Sequence, residues 1–293
     1  FYSVENTVDG KFFVTARGWE DLSEILMAYE ELGIEITENL IHEYLCRDEI
    51  ARSFFASYQL YRKYGTDYGL DRLLSGKMQE EEQVQRKKMA QDASFEERFL
   101  VTGLLLDGLN GGFLSYEKLD EETERVYQEL LHLKTFLSDR KGMTALDEFI
   151  DIKKKSLAVR LDAELLSEVQ ETQEASAIRM LEAFSLTVRK EHITDVEAGF
   201  DRIKELFGEM VEKRKDCAQQ ISQELERAFS FMKDAFGDGQ EMVLFVTGLT
   251  RNSHAGAFIR EYGCDPYFAC SEKLLYRKQE KKLQEECASL LEI

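Results

Sequence analysis

Residues 194–236, TDVEAGFDRIKELFGEMVEKRKDCAQQISQELERAFSFMKDAF, carry one apolar stripe. Val196, Phe200, Ile203, Phe207, Met210, Cys217, Ile221, Leu225, Met232 and Phe236 recur at steps of three, four or seven, with Arg214 in the same series. That period belongs to an α-helix, and at ~1.5 Å per residue it reaches about 60 Å without a break. Thr194-x-x-Glu197 ahead of it has the form of a capping box, and Gly237-Asp238-Gly239 behind it is a stop. Helices of this length bury their stripes against one another at shallow angles, which predicts an all-α fold built on an antiparallel long-helix bundle.

The same texture extends upstream. Ile178, Leu181, Ser185 and Val188 form one helical face, and Ile150, Leu157, Leu161 and Leu165 another. Leu119, Val126, Leu130, Leu133 and Leu137 keep heptad spacing with Thr123 in the vacant slot, and Arg140-Lys141-Gly142 stops that helix. Ser94-x-x-Glu97 is a second capping box, opening a hydrophobic stretch that Asn110-Gly111-Gly112 is expected to end. The bundle is therefore placed at 94–240. Beyond it, 241–293 is expected to pack on the bundle as short helical segments. Residues 242–250 are assigned to helix because no partner strand lies nearby. A turn follows at Gly263-Cys264-Asp265-Pro266, then a last helix from Glu272 carrying Leu274, Cys287 and Leu290.

The N-terminal part is different. Thr7-Val8 and Lys11-Phe12-Phe13-Val14 flank Asp9-Gly10, a two-residue hairpin signal over 1–14. Thr15 is then an N-cap for a helix with Trp19, Leu22, Leu26 and Tyr29 on one face and Gly33 as its stop. Thr37 and Asp48 open two further helices, the second expected to end at Gly65, and Gly76 closes a last short piece. This gives a compact helical domain over 15–76. Residues 77–93, polar and mixed in charge, read as a connecting helix or linker.

Composition excludes several functions. Of 293 residues, 38 are Lys or Arg and 57 are Asp or Glu, so the formal charge is −19 and phosphate-rich nucleic acid or an anionic membrane is a poor partner. A single proline suits long helices. No apolar run approaches the roughly 18 residues of a membrane span. The five cysteines, odd in number and without CxxC spacing, read as free thiols in a reducing compartment, which points to the cytoplasm. Cys264 and Cys270 flank Pro266 but lack a second metal-binding pair, so no metal site is expected. His42, His132, His192 and His254 lie far apart. No phosphate loop, dinucleotide fingerprint or HExxH is present.

One cluster remains: Val14-Thr15-Ala16-Arg17-Gly18-Trp19-Glu20-Asp21-Leu22-Ser23. Arg17 falls in the first turn of its helix, where the dipole disfavours a cation but where backbone N–H groups and a guanidinium together suit an anion. Gly18 leaves room for a ligand or another backbone, and Trp19 anchors the turn in the core. On physical grounds alone an ordinary surface arginine beside a core tryptophan is the favoured account of the pattern.

Extended through Glu24-Ile25-Leu26-Met27-Ala28-Tyr29-Glu30, with Ile50-Ala51-Arg52-Ser53-Phe54-Phe55 and Leu60-Tyr61-Arg62-Lys63-Tyr64, the cluster resembles the C-terminal lid of MoxR-type AAA+ ATPases over residues 1–76. The stretch 241–264 is similar to the extended C-terminal region of such ATPases. The resemblance implies that Arg17 is the sensor 2 arginine of ATP hydrolysis, with Gly18 beside it at the ATP phosphates. It further implies ATP and Mg as cofactors of the intact protein, a hexameric ring, chaperone-like remodelling, and a von Willebrand factor A-type partner. The phosphate loop, Walker B acid and sensor 1 residue are missing and are expected upstream of Phe1, so this chain alone should not hydrolyse ATP. A different reading is a non-enzymatic acidic all-α adaptor. In either case the 196–236 stripe is read as closing its own bundle ahead of a partner-binding or oligomerising seam, and Arg214 as setting register, recruiting an acidic partner or, at least as well, snorkelling at the bundle rim.

Overall fold

The computed structural model describes residues 3–7, 10–138, 142 and 144–273. The chain divides into two compact units, Phe1–Arg72 with Met78–Leu104, and Leu73–Lys77 with Leu105–Ile293. Apart from one pair of short strands, the regular structure of the described residues is helical. No helix among them is long and apolar enough to cross a membrane.

In the first unit, Ser3–Thr7 (β1) pairs antiparallel with Gly10–Val14 (β2), Ser3 opposite Val14 and Thr7 opposite Gly10. Helices Ala16–Leu32 (α1), Glu38–Leu45 (α2) and Asp48–Tyr68 (α3) follow. The hydroxyls of Thr15 and Thr37 cap α1 and α2, each accepting from the amide three residues on. Gly33 ends α1 in the left-handed conformation at φ 68°, as its stop signal requires. Leu22, Ile41, Leu45 and Ala51 meet in a core that Val14 closes from the end of β2.

Gly65 does not end α3. The helix continues to Tyr68, and Gly69 at φ 59° is the cap. Tyr68 is fully buried and donates its hydroxyl proton to Glu97 at 2.7 Å, so the extra turn is held by packing. After Leu70–Leu74 (α4), residues 77–93 contain the helix Glu80–Asp92 (α5), whose Ala90 is buried with the neighbouring Met78 in the first unit. The next helix, Phe95–Leu137 (α6), begins in this unit. Ser94 accepts from the Glu97 amide at 3.3 Å, but the Glu97 carboxylate goes to Tyr68, so only half of the expected capping box forms.

The second unit contains the rest of α6. Asn110-Gly111-Gly112 was expected to break the helix, yet α6 runs through it as 43 continuous residues. The residues serve packing instead. A Cβ on Gly112 would stand 3.3 Å from Ile221, and the Asn110 carboxamide accepts from Asn252 at 2.6 Å. Thr144–Asp162 (α7), Glu168–Lys190 (α8) and Val196–Phe236 (α9) complete the long helices. Val126, Leu133, Phe149, Leu181, Phe184 and Ile203 are among the residues that form their shared core. Thr123 fills its slot at 5% exposure by donating to the Leu119 carbonyl. Leu165, expected in the stripe, is 69% exposed, because α7 has ended and Leu166 turns inward in its place.

Helix α9 spans 41 residues, but its cap is Asp195, whose carboxylate accepts from the Ala198 amide at 2.9 Å. The capping box expected at Thr194 does not form: the cap lies one residue later, and Ala198 at its third helical position has no polar side chain to complete a box. Gln240–Arg251 (α10) is helical as expected, and Ser253–Tyr262 (α11) follows at once, capped by the Asn252 carboxamide. Residues 265–273 are helical, with Pro266 in the first turn, where its missing N–H costs nothing. The Arg140-Lys141-Gly142 stop falls largely outside the described residues, as does the helix from Glu272 beyond residue 273.

Candidate functional site

The start of α1 is fixed from both sides. Thr15 is extended, and its Oγ1 accepts from the Gly18 amide at 3.1 Å. Val14 and Trp19 stand at the positions of a hydrophobic staple and both pack into the first unit's core. Trp19 meets the Phe54 ring edge-on at 5.2 Å. Between cap and staple, Arg17 leaves the helix in the first turn with its side chain 87% exposed. Its ion pair is to Asp21, one turn on, at 3.9 Å, a separation and exposure at which pairing is weak. No acidic residue occupies the first turn of α1, so no side-chain charge there offsets the helix dipole. An exposed guanidinium at such an end suits an incoming anion.

Gly18 faces inward. A Cβ there would stand 3.0 Å from the Tyr44 carbonyl oxygen, so the absent side chain lets α1 approach the end of α2. Of the two uses expected of this glycine, close approach by another backbone is the one whose geometry is visible.

Arg214 lies in a second constellation, wholly within the second unit. Its guanidinium contacts Asp120 of α6 through Nε at 2.5 Å and Glu261 of α11 through Nη2 at 2.9 Å. Nη2 also donates to the Tyr116 hydroxyl at 3.1 Å, and the guanidinium lies 5.8 Å from the centre of the Tyr116 ring. Tyr116 Oη is 2.7 Å from Tyr262 Oη and 3.2 Å from each oxygen of the Glu261 carboxylate. Burial drives the Tyr116 hydroxyl far above its ordinary pKa, aided by the bond to Tyr262 and opposed by Arg214. The sequence marks Arg214 as a charge within an apolar stripe. Its partners lie up to 98 residues away in the chain and carry no local signal.

The remaining sequence candidates are scattered. His42 pairs with Asp48 and His254 with Glu117, each at 2.7 Å, while His132 lies 3.7 Å from Glu129. Cys264 is buried, and desolvation pushes its thiol up to about 11; burial likewise raises Cys217 and Cys270. These are poor nucleophiles at neutral pH. Among the described residues no group of three or more His, Cys, Asp or Glu is placed to hold a metal ion. Cys287 lies outside the described residues.

A cleft of about 590 Å³ in the second unit lies between α6 and the start of α8. Its polar groups largely bond to each other: Arg125 and Glu121 both hold Gln173, and Glu122 accepts from Ser176. No family model, curated protein or solved structure matches this chain.

Proposed function

We propose that the first unit is the lid of a MoxR-like AAA+ ATPase and that Arg17 is its sensor 2 arginine, with Gly18 beside it at the ATP phosphates. The observation that carries the reading is the contrast at the start of α1. Cap, staple and the Gly18 contact hold the backbone in place, while the Arg17 side chain projects 87% exposed. A positioned guanidinium of this kind stabilises the charge that develops on a transferring phosphoryl group. In the intact protein the nucleotide and its Mg supply the reacting phosphates and their charge neutralisation. This chain contributes Arg17, the helix end beneath it, and a rigid three-helix support. The second unit then serves as a chaperone-like arm toward a protein partner, in a hexameric cytoplasmic ring working with a von Willebrand factor A-type protein.

In the intact ATPase, Arg17→Ala should leave nucleotide binding within a few-fold and reduce turnover by about 10²–10³. Unchanged kcat with unchanged ATP affinity would remove Arg17 from the reaction. Internal bonding among the polar groups of the cleft between α6 and α8 favours the other reading, an acidic all-α adaptor without nucleotide chemistry. In that case Arg17→Ala has no effect on any nucleotide-dependent signal, and a fluorescent ATP analogue titrated onto the intact protein shows no binding.

A further inference from the structure

The Arg214 constellation contains two carboxylates and one guanidinium, and its hydrogen bonds are unequally shared. The Tyr116 oxygen accepts from Arg214 and from Tyr262, which leaves its own proton for Glu261. Glu261 therefore receives both an N–H and an O–H donor, and its charge is well compensated. Asp120 is not. Its contact is the 2.5 Å approach of Arg214 Nε, an ion pair without the alignment of a hydrogen bond. Glu124, one turn further along α6, adds a like charge.

We propose that this cluster is a proton-dependent clasp on α11, in which one proton taken up by Asp120 tightens the docking of α11 against α6 and α9. Partial burial, with Glu261 and Glu124, holds the Asp120 carboxyl above its ordinary range; Arg214 opposes the shift but does not cancel it. The docked state keeps a proton that the undocked state gives up. The clasp is therefore strongest below the ordinary carboxylate range and weakens as pH rises through the raised value of Asp120. Tyr116, Asp120 and Glu124 face the site from α6, Arg214 from α9, and Glu261 and Tyr262 from α11. His254 of α11, paired with Glu117 of α6 at 2.7 Å, is a second titratable link between those two helices and must be controlled.

Amide hydrogen exchange at Phe258 and Ile259, corrected for intrinsic rates, reads the docking of α11 directly. As pH rises from the ordinary carboxylate range toward neutrality, protection in the native chain should fall, by at most about tenfold per pH unit, the limit for one proton. Asp120→Asn should lose this slope while remaining at least as protected at neutral pH as the native chain. His254→Gln should keep it. A slope that survives Asp120→Asn, a slope abolished by His254→Gln, or a weaker α11 in Asp120→Asn at neutral pH would each overturn the proposal.

Discussion

Gly76 and Gly111 occupy opposite environments. Gly76 has φ +72°, and a Cβ there would stand 2.7 Å from Cζ of Arg227. That guanidinium donates to the Leu74 carbonyl at 2.6 Å and to Gln223 at 3.0 Å, so it cannot move aside without giving up both bonds. Gly111 lies inside α6, and a Cβ there would meet nothing within 4 Å. Gly76→Ala should therefore destabilise the protein by about 1–3 kcal/mol. Gly111→Ala should stabilise it by up to about 1 kcal/mol, the ordinary helix preference. Urea midpoints at constant m-value test both signs. Gly18→Ala falls between them, since its 3.0 Å approach to a backbone carbonyl opposes the gain in helix propensity. Glycine roles of this kind were only partly legible in the sequence. Gly33 was read correctly as a stop, whereas Gly65 and Gly111-Gly112 carry the same letter within continuous helices. What separates them is the neighbouring element: Leu104 beside Gly65 and Ile221 beside Gly112 reward a helix that continues.

Apolar period identified the helices well at the scale of elements, because each stripe reports a buried face directly. The α9 stripe, the α8 face of Ile178, Leu181, Ser185 and Val188, and the Trp19 face of α1 all pack inward. Helix ends were less legible, since neighbouring residues compete for one cap on nearly equal terms. Before α9, Thr194 and Asp195 are both good caps, and the structure uses Asp195. Asp195→Ala should then cost about 0.5–2 kcal/mol, while Thr194→Ala should stay within about 0.5 kcal/mol. Thermal unfolding of the two variants decides the register, and the reverse order would restore the cap at Thr194. Leu165 shows the same limit from the other end: the heptad continues on paper one turn beyond the end of α7, and Leu166 takes the inward place.

For the whole molecule the governing quantity is the charge of −19. Many acidic groups have basic partners, such as Glu191 with Arg202 at 2.9 Å and Glu129 with Lys153 at 2.7 Å. Even so, 57 carboxylates cannot all be matched by 38 cations, and the excess repels itself in the folded state. Composition makes this term visible, but it cannot reveal how Asp120 and Glu261 come to share Arg214, because that depends on contacts distant in sequence. Two effects of added salt oppose each other. Screening relieves net repulsion over the Debye length, which shrinks from about 30 Å at 0.01 M to about 10 Å at 0.1 M. It also weakens exposed ion pairs, each worth only about 0.2–1 kcal/mol. Short helical pairs such as Lys204 with Asp201 and Lys215 with Glu212 lie within even the shorter Debye length and lose little. Repulsion among the excess acids acts over longer distances and loses more, so Tm should rise with NaCl over this range and then level off. A rise that continues linearly to molar salt would point to general salting-out of apolar surface. A fall in Tm would mean that ion pairs linking different elements, Arg202 with Glu191 and Lys153 with Glu129 among them, outweigh the net charge in holding the helices together.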